Sequence, residues 1–152
     1  MSQCRIVLFA HNIRSLWNVG SFFRTADAFE VEKIFLSGYT ALPPRREISK
    51  TALGAEEYVP FEHVVDPLKK LRALKKDGFV IVALEQAKNS VPLNEFQPSQ
   101  KVCLIVGHEV LGVEKDFLRF SDAVVHIPMF GKKESLNVAV AAGIALYYLR
   151  CA

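Results

Sequence analysis

Apolar residues fall along this chain in two patterns, short unbroken runs and stripes at helical spacing. Arg5–Ala10, Phe79–Leu84 and Val102–Val106 are runs of Ile, Val, Leu, Phe and Ala. Runs of this length predict strands buried on both faces. Lys33–Ser37 reads as a further short strand ending at Gly38, and Ala123–Ile127 as the last one. The stripes lie between them. Asn18–Phe29 predicts a helix with Asn18 as its N-cap and Phe22, Ala26 and Phe29 on one face. Asp66-Pro67 supplies a cap and a first-turn proline for a second helix, striped by Leu68, Leu71 and Leu74 and ended by Gly78. Val113–Phe120 is a short helix. The last helix, capped by Ser135 or its neighbour, runs close to the C-terminus. Tyr39–Lys50 and Gln86–Gln100 read as proline-bearing loops. Strands apolar on both faces, alternating with helices, predict an α/β fold with a mostly parallel sheet covered on both sides.

The length of 152 residues suits a single domain spanning 1–152, with no repeat or linker visible. A composition of 51% hydrophobic and 23% charged residues excludes a disordered chain. The net charge of +3 is unevenly placed, with 12 basic against 8 acidic residues in 1–76 and 7 against 8 in 77–152. A nucleic-acid partner is therefore allowed without being demanded. Cys4, Cys103 and Cys151 form neither zinc spacing nor a disulfide framework, so small buried hydrophobes in a reducing cytoplasm, with no metal, are expected. The run Ile6–Ala10 is too short for a signal peptide. Leu136–Leu149 falls short of the roughly 20 residues of a membrane span, so no membrane role is expected.

In open parallel sheets, ligands sit outside the carboxyl ends of the strands. Leu84-Glu85, Gly107-His-Glu109 and Ile127-Pro-Met129 all lie at such ends. Nucleotide signatures of the G-x-G-x-x-G and G-x-x-x-x-G-K-[ST] kinds are missing. His11, His63, His108 and His126 are scattered, and each reads as structural or solvated. Gly20 sits one turn before Arg24, where a glycine leaves room for a ligand beneath the guanidinium. The alternative is an exposed arginine paired with Asp27 or Asp66. Glu109 stands in a turn between Gly107 and Gly112 and can equally be a solvated loop carboxylate. Ser135 and Asn137 stand where helix caps stand, although two polar residues are more than one cap requires. The helix behind them is rich in Ala and Gly, which suits close packing inside the protein or across a dimer. Arg45 and Arg46 beside two prolines, with Arg14, Lys132 and Lys133, place basic loops around the expected site and favour a phosphate-bearing partner.

Three segments carry a more specific signal: Asn18-Val-Gly-Ser-Phe-Phe-Arg24-Thr-Ala-Asp27, Ile105-Val-Gly107-His-Glu109-Val-Leu-Gly112-Val, and Ile127-Pro-Met-Phe-Gly-Lys-Lys-Glu-Ser135-Leu-Asn137-Val-Ala-Val-Ala. In order and spacing they resemble the motifs of the SpoU (TrmH) family of SPOUT-class methyltransferases. The resemblance spans essentially the whole chain, without the added RNA-binding domain of many longer relatives. It implies an α/β knot, in which the C-terminal segment threads a loop to form a deep trefoil knot. It also implies S-adenosylmethionine held in a bent form by Leu84, Glu85, Gly107, Gly112, Ile127, Met129, Ser135 and Leu136. A homodimer through the first and last helices is a further implication.

The implied reaction is methyl transfer to a ribose 2′-hydroxyl of tRNA or rRNA. Asn18, Arg24, Glu109, Ser135 and Asn137 would be its catalytic set, and Arg14, Arg24, Arg45 and Arg46 its RNA contacts. In this family the arginine at the Arg24 position is often assigned as general base. A guanidinium holds its proton at pKa values above about 12, so an alternative role is contact with phosphate and with developing charge on the 2′-oxygen. Competing readings are a base-directed SPOUT methylase, a silent RNA-binding dimer and a flavodoxin-like small-ligand protein.

Overall fold

Alternate residues of the first strand face opposite ways, and both faces are apolar. In β1 (Arg5–His11), Ile6, Leu8 and Ala10 join one core cluster, while Val7 and Phe9 join the other. The same alternation runs through β2 (Lys33–Ser37), β4 (Val80–Leu84) and β6 (Lys101–Val106). The unbroken apolar runs therefore reflect a sheet with a core on each side. This computed structural model describes residues 3–152. The remaining strands are β3 (Phe61–Val64), β5 (Val91–Pro92) and β7 (Ala123–His126). The order across the sheet is β3-β2-β1-β6-β4-β7-β5, and every paired neighbour is parallel.

One layer is built from α1 (Leu16–Ala28), α2 (Arg46–Ala52) and α5 (Val138–Cys151). The other is built from α3 (Pro67–Lys76) and α4 (Lys115–Phe120). Helix α5 lies beside α1 and runs the same way. Asn137 meets Asn18 at one end, Gly143 faces Thr25 midway, and Tyr147 packs on Phe29 further along. At the far end the Arg150 guanidinium donates to the carbonyls of Phe29, Cys4 and Glu30 at 2.8, 2.7 and 3.0 Å. A cation at the carboxyl end of α1 also interacts favourably with the negative end of that helix's dipole.

Four sequence expectations change. The N-cap of α1 is Ser15, whose Oγ accepts the Asn18 backbone N–H at 3.3 Å, so Asn18 lies inside the first turn with its side chain free for other work. The loop expected over 39–50 ends at Arg45, because Ile48 and Ala52 form a short buried stripe that starts α2. Gln86–Gln100 contains β5 and a 3-10 turn that buries Leu93. Strand β3, Phe-Glu-His-Val at the sheet edge, is too mixed in polarity to be legible as a strand.

Gly20 is a fifth correction. A Cβ there would run into the Thr51 hydroxyl and the Ile48 carbonyl oxygen of α2. The glycine serves the close approach of α1 and α2 and leaves no space for a ligand beneath Arg24. The Thr51 hydroxyl donates to the Trp17 carbonyl at 2.8 Å across that contact.

Candidate functional site

The carboxyl ends of β6, β4 and β7 are adjacent, and the loops leaving them enclose a cleft of about 150 Å³. All eight residues expected to hold a cofactor line it: Leu84, Glu85, Gly107, Gly112, Ile127, Met129, Ser135 and Leu136. They come from three separate stretches of chain that the parallel topology brings together. Val138 and Ala141 of α5 close one side.

Glycine shapes the floor. Gly112 has φ +74°, and a side chain there would enter the Glu85 carboxylate. Glu85 uses both oxygens on backbone, accepting Val113 N–H at 2.8 Å and Gln86 N–H at 2.9 Å. Gly107 presses against the same turn, where a Cβ would come within 2.5 Å of the Gly112 carbonyl oxygen. His108 and Gly112 exchange backbone hydrogen bonds of 3.2 and 2.9 Å, closing the turn.

Glu109 is not a solvated loop carboxylate. Its two oxygens accept the backbone N–H groups of Arg14 and Ser15, each at 2.8 Å, and the Asn18 side-chain amide at 2.9 Å. Burial pushes the Glu109 carboxyl up, but these hydrogen bonds outweigh it and leave the group below the usual carboxylate range. The loop after β6 is thereby clamped to the start of α1. Asn18 passes the connection on, its Oδ1 accepting from Asn137 Nδ2 at 3.3 Å. Asn137 caps α5, its Oδ1 accepting Ala139 and Val140 N–H at 2.9 and 3.3 Å. Ser135 is no cap and stands exposed on the cleft wall.

The structure leaves the arginine side chains outside this chain of contacts. Arg24 is exposed on α1, does not line the cleft, and pairs with neither Asp27 nor Asp66 among the described residues. Arg14, Arg45 and Arg46 are likewise exposed without ion pairs among the described residues. Cations elsewhere do find partners, for example Arg5 with Glu32 at 2.6 Å and Lys70 with Glu62 at 2.7 Å.

Three histidines are more involved than their scattered positions suggest. His108 and His126 line the cleft. His11 is buried on the Phe117 ring, with Nδ1 2.7 Å from Ser37 Oγ and Nε2 3.2 Å from Glu114. Burial holds His11 below its ordinary pKa, although Glu114 pulls the other way. No spacing rule reveals these residues, because each contact joins different loops. Among the described residues no three His, Cys, Asp or Glu side chains cluster to hold a metal ion, and no helix is long and apolar enough to cross a membrane.

The cleft suits a cationic, partly apolar ligand. Two carboxylates line it and no lysine or arginine does, so its field favours positive charge. Leu84, Ile127, Met129 and Leu136 give it apolar walls. A parallel sheet with such a cleft at its carboxyl edge defines an α/β ligand-binding domain of the open-sheet type.

The sequence pattern of the SpoU rRNA Methylase family matches residues 5–147, and the chain belongs to that family. It is 36% identical over 146 residues to the tRNA (guanosine(18)-2′-O)-methyltransferase of Aquifex aeolicus, spanning 95% of this chain and 68% of that protein. The AdoMet-bound rRNA methyltransferase of Sinorhizobium meliloti superimposes with a TM-score of 0.90 at 29% identity, over 97% of this chain and 56% of that one. A chain solved for the 2-OH methylation of C/U34 on tRNA gives a TM-score of 0.85 at 25% identity, over 96% of this chain and 94% of that one. The chain thus spans about two thirds of the Aquifex protein and little more than half of the Sinorhizobium one.

Proposed function

We propose that this protein transfers a methyl group from S-adenosylmethionine to a ribose 2′-hydroxyl of RNA, and that tRNA is the favoured class. The observation that carries the reading is the convergence of three distant loops on one cleft lined by carboxylates and apolar side chains without a cation. S-adenosylmethionine bound there supplies an activated methyl carbon on a positively charged sulfonium. Leu84, Ile127, Met129 and Leu136 would hold its apolar parts, while Gly107 and Gly112 let the turn after β6 pack against itself and against Glu85 to form the floor. The names of the Aquifex relative and of the chain solved for C/U34 methylation support tRNA.

The residues of this chain contribute position. Glu109, Asn18 and Asn137 lock the start of α1, the β6 loop and the cap of α5 into one unit, so that an attacking 2′-oxygen meets a fixed geometry. Ser135, exposed on the cleft wall, orients the ribose. Arg24 acts by contacting phosphate and the negative charge developing on the 2′-oxygen. The segment carrying Ser135 and Asn137 threads the preceding loop in the trefoil manner of the class.

The assembly is a homodimer through α1 and α5. Val140, Ile144 and Tyr147 form an exposed apolar stripe on α5, and Trp17 is exposed on α1. Arg24 follows Trp17 by two turns on the same face, which puts it at the seam. Sedimentation at micromolar concentration reads this directly, since a monomer mass contradicts it. An RNA substrate and a metabolic methyl donor are in keeping with work in the cytoplasm.

Calorimetric titration with S-adenosylmethionine tests the reading. Saturable binding by the folded protein, weakened by Leu136→Asp, supports it. Absence of binding to a folded dimer contradicts it and favours a silent RNA-binding protein.

A further inference from the structure

We propose that Tyr39 and His108 receive the nucleobase of the nucleotide being methylated, and that this nucleotide is unpaired in the RNA. The inference rests on the RNA-methylation reading above. His108 follows Gly107 at the end of β6 and lines the cleft. Its Nδ1 accepts the backbone N–H groups of Val110 and Leu111, both at 3.0 Å. A ring nitrogen that accepts twice is unprotonated, so the neutral ring carries its proton on Nε2. That N–H has no partner among the described residues. The rim of the cleft therefore offers a hydrogen-bond donor whose ring is held in place by the backbone.

Tyr39 stands beside it, with ring centroids 6.4 Å apart and planes at 81°. It is 58% exposed, and its hydroxyl has no partner among the described residues. The backbone beneath it is firmly held. Tyr39 N–H donates to Asn12 Oδ1 at 3.2 Å, and the Asn12 amide donates to Glu114 at 3.2 Å. Gly38 takes φ +63°, and a Cβ there would run into the Asn12 side chain. An exposed aromatic ring carried on a held backbone, next to a free donor on a held ring, is a stacking platform with a polar reader at its edge.

The ligand follows from bond connectivity. In a ribose the 2′-carbon adjoins the carbon that bears the base. A 2′-hydroxyl turned into the cleft brings its own base to the rim, whereas flanking bases lie a phosphodiester away. Stacking on Tyr39 requires a free base face, and donation from His108 requires a free base acceptor. A base inside a duplex offers neither, so the substrate nucleotide lies in a loop or is extruded from its stack.

The test uses the full chain and an RNA in which the methylated nucleotide has been located. Tyr39→Ala removes the platform and Tyr39→Phe keeps it. His108→Asn keeps an acceptor for the Val110 and Leu111 N–H groups but removes the distal donor. The expected result is a fall of about tenfold or more in kcat/KM for Tyr39→Ala and His108→Asn. Cofactor affinity is unchanged in the two Tyr39 variants, and Tyr39→Phe stays near wild type. An RNA abasic at the target position brings wild type to or below the Tyr39→Ala rate, and costs Tyr39→Ala less than it costs wild type. Wild-type kcat/KM in Tyr39→Ala and His108→Asn, or an equal abasic penalty with and without Tyr39, overturns the subsite. A wild-type protein that binds cofactor but methylates no RNA fails at the underlying reading instead, and the subsite falls with it.

Discussion

Asn137 at the cap of α5 and Asn18 in the first turn of α1 are in contact, Nδ2 of the one donating to Oδ1 of the other at 3.3 Å across 119 positions of sequence. The pair fixes the direction of a whole chain of hydrogen bonds. Asn18 must donate with its nitrogen to Glu109, which leaves its oxygen for Asn137, whose own oxygen serves the α5 backbone. Each of the three polar segments of the sequence contributes one member.

Asn137→Asp separates the two duties of that residue. The carboxylate still accepts from Ala139 and Val140, so the helix cap survives and the thermal midpoint stays within a few degrees. The donor to Asn18 is lost, and a negative charge faces an oxygen. Methyl transfer should fall at least tenfold. Asn137→Ala should lose the cap as well, about 1 kcal/mol of stability. Equal activity in Asn137→Asp and wild type contradicts the linkage.

Glu109 and His11 give stability an acid limb. The folded carboxyl of Glu109 lies below its unfolded value of 4.5, so its contribution is complete above that pH and is lost as pH falls through the folded value. His11 is also lowered, from 6.5, so its neutral form stabilises fully above that pH and the effect is lost as pH falls through the folded value. Urea midpoints measured from pH 7 to 3 should show the gap between wild type and Glu109→Gln closing towards the acid end. A gap independent of pH contradicts the assignment.

Three glycine-to-alanine changes should behave differently. Gly20→Ala drives a methyl group into an Ile48 carbonyl that cannot retreat, and overpacking of this kind costs about 1–3 kcal/mol. Gly107→Ala strikes the Gly112 backbone at the cleft and should weaken S-adenosylmethionine binding at least tenfold. Gly143→Ala meets only Thr25 Cγ2 at 3.6 Å, and gaining helix propensity there should raise stability by about 0.5–1 kcal/mol. Calorimetric affinities beside melting curves separate the three outcomes.

Legibility in the sequence followed the range of the contacts. Strands buried on both faces and the helix opened by Asp66-Pro67 rest on local pattern, and they stand in the structure. The cleft was legible because strand ends converge in a parallel sheet. What stayed hidden depended on partners distant in the chain. The reach of Glu109 to Arg14 and Ser15 crosses about ninety residues, and the meeting of Gly20 with α2 depends on a helix masked by prolines. His108 read only as structural or solvated because its partners are backbone N–H groups, which carry no sequence signature.

Arg14, Arg45 and Arg46 are exposed without ion pairs among the described residues, so each is free to contact phosphate. Replacing any one by glutamine should reduce the slope of log affinity against log salt by about 0.7–0.9. Titrations against tRNA at several salt concentrations check this, and slopes equal to wild type remove these residues from the interface.

The most direct measurement of the central claim is mass analysis of nucleosides from unmodified tRNA and rRNA treated with this protein and S-adenosylmethionine carrying a labelled methyl group. The account predicts a single labelled nucleoside whose added methyl stays with the ribose when the glycosidic bond is broken, formed at least tenfold more slowly by Asn137→Asp. A label that leaves with the base, or an RNA that gains none, contradicts it.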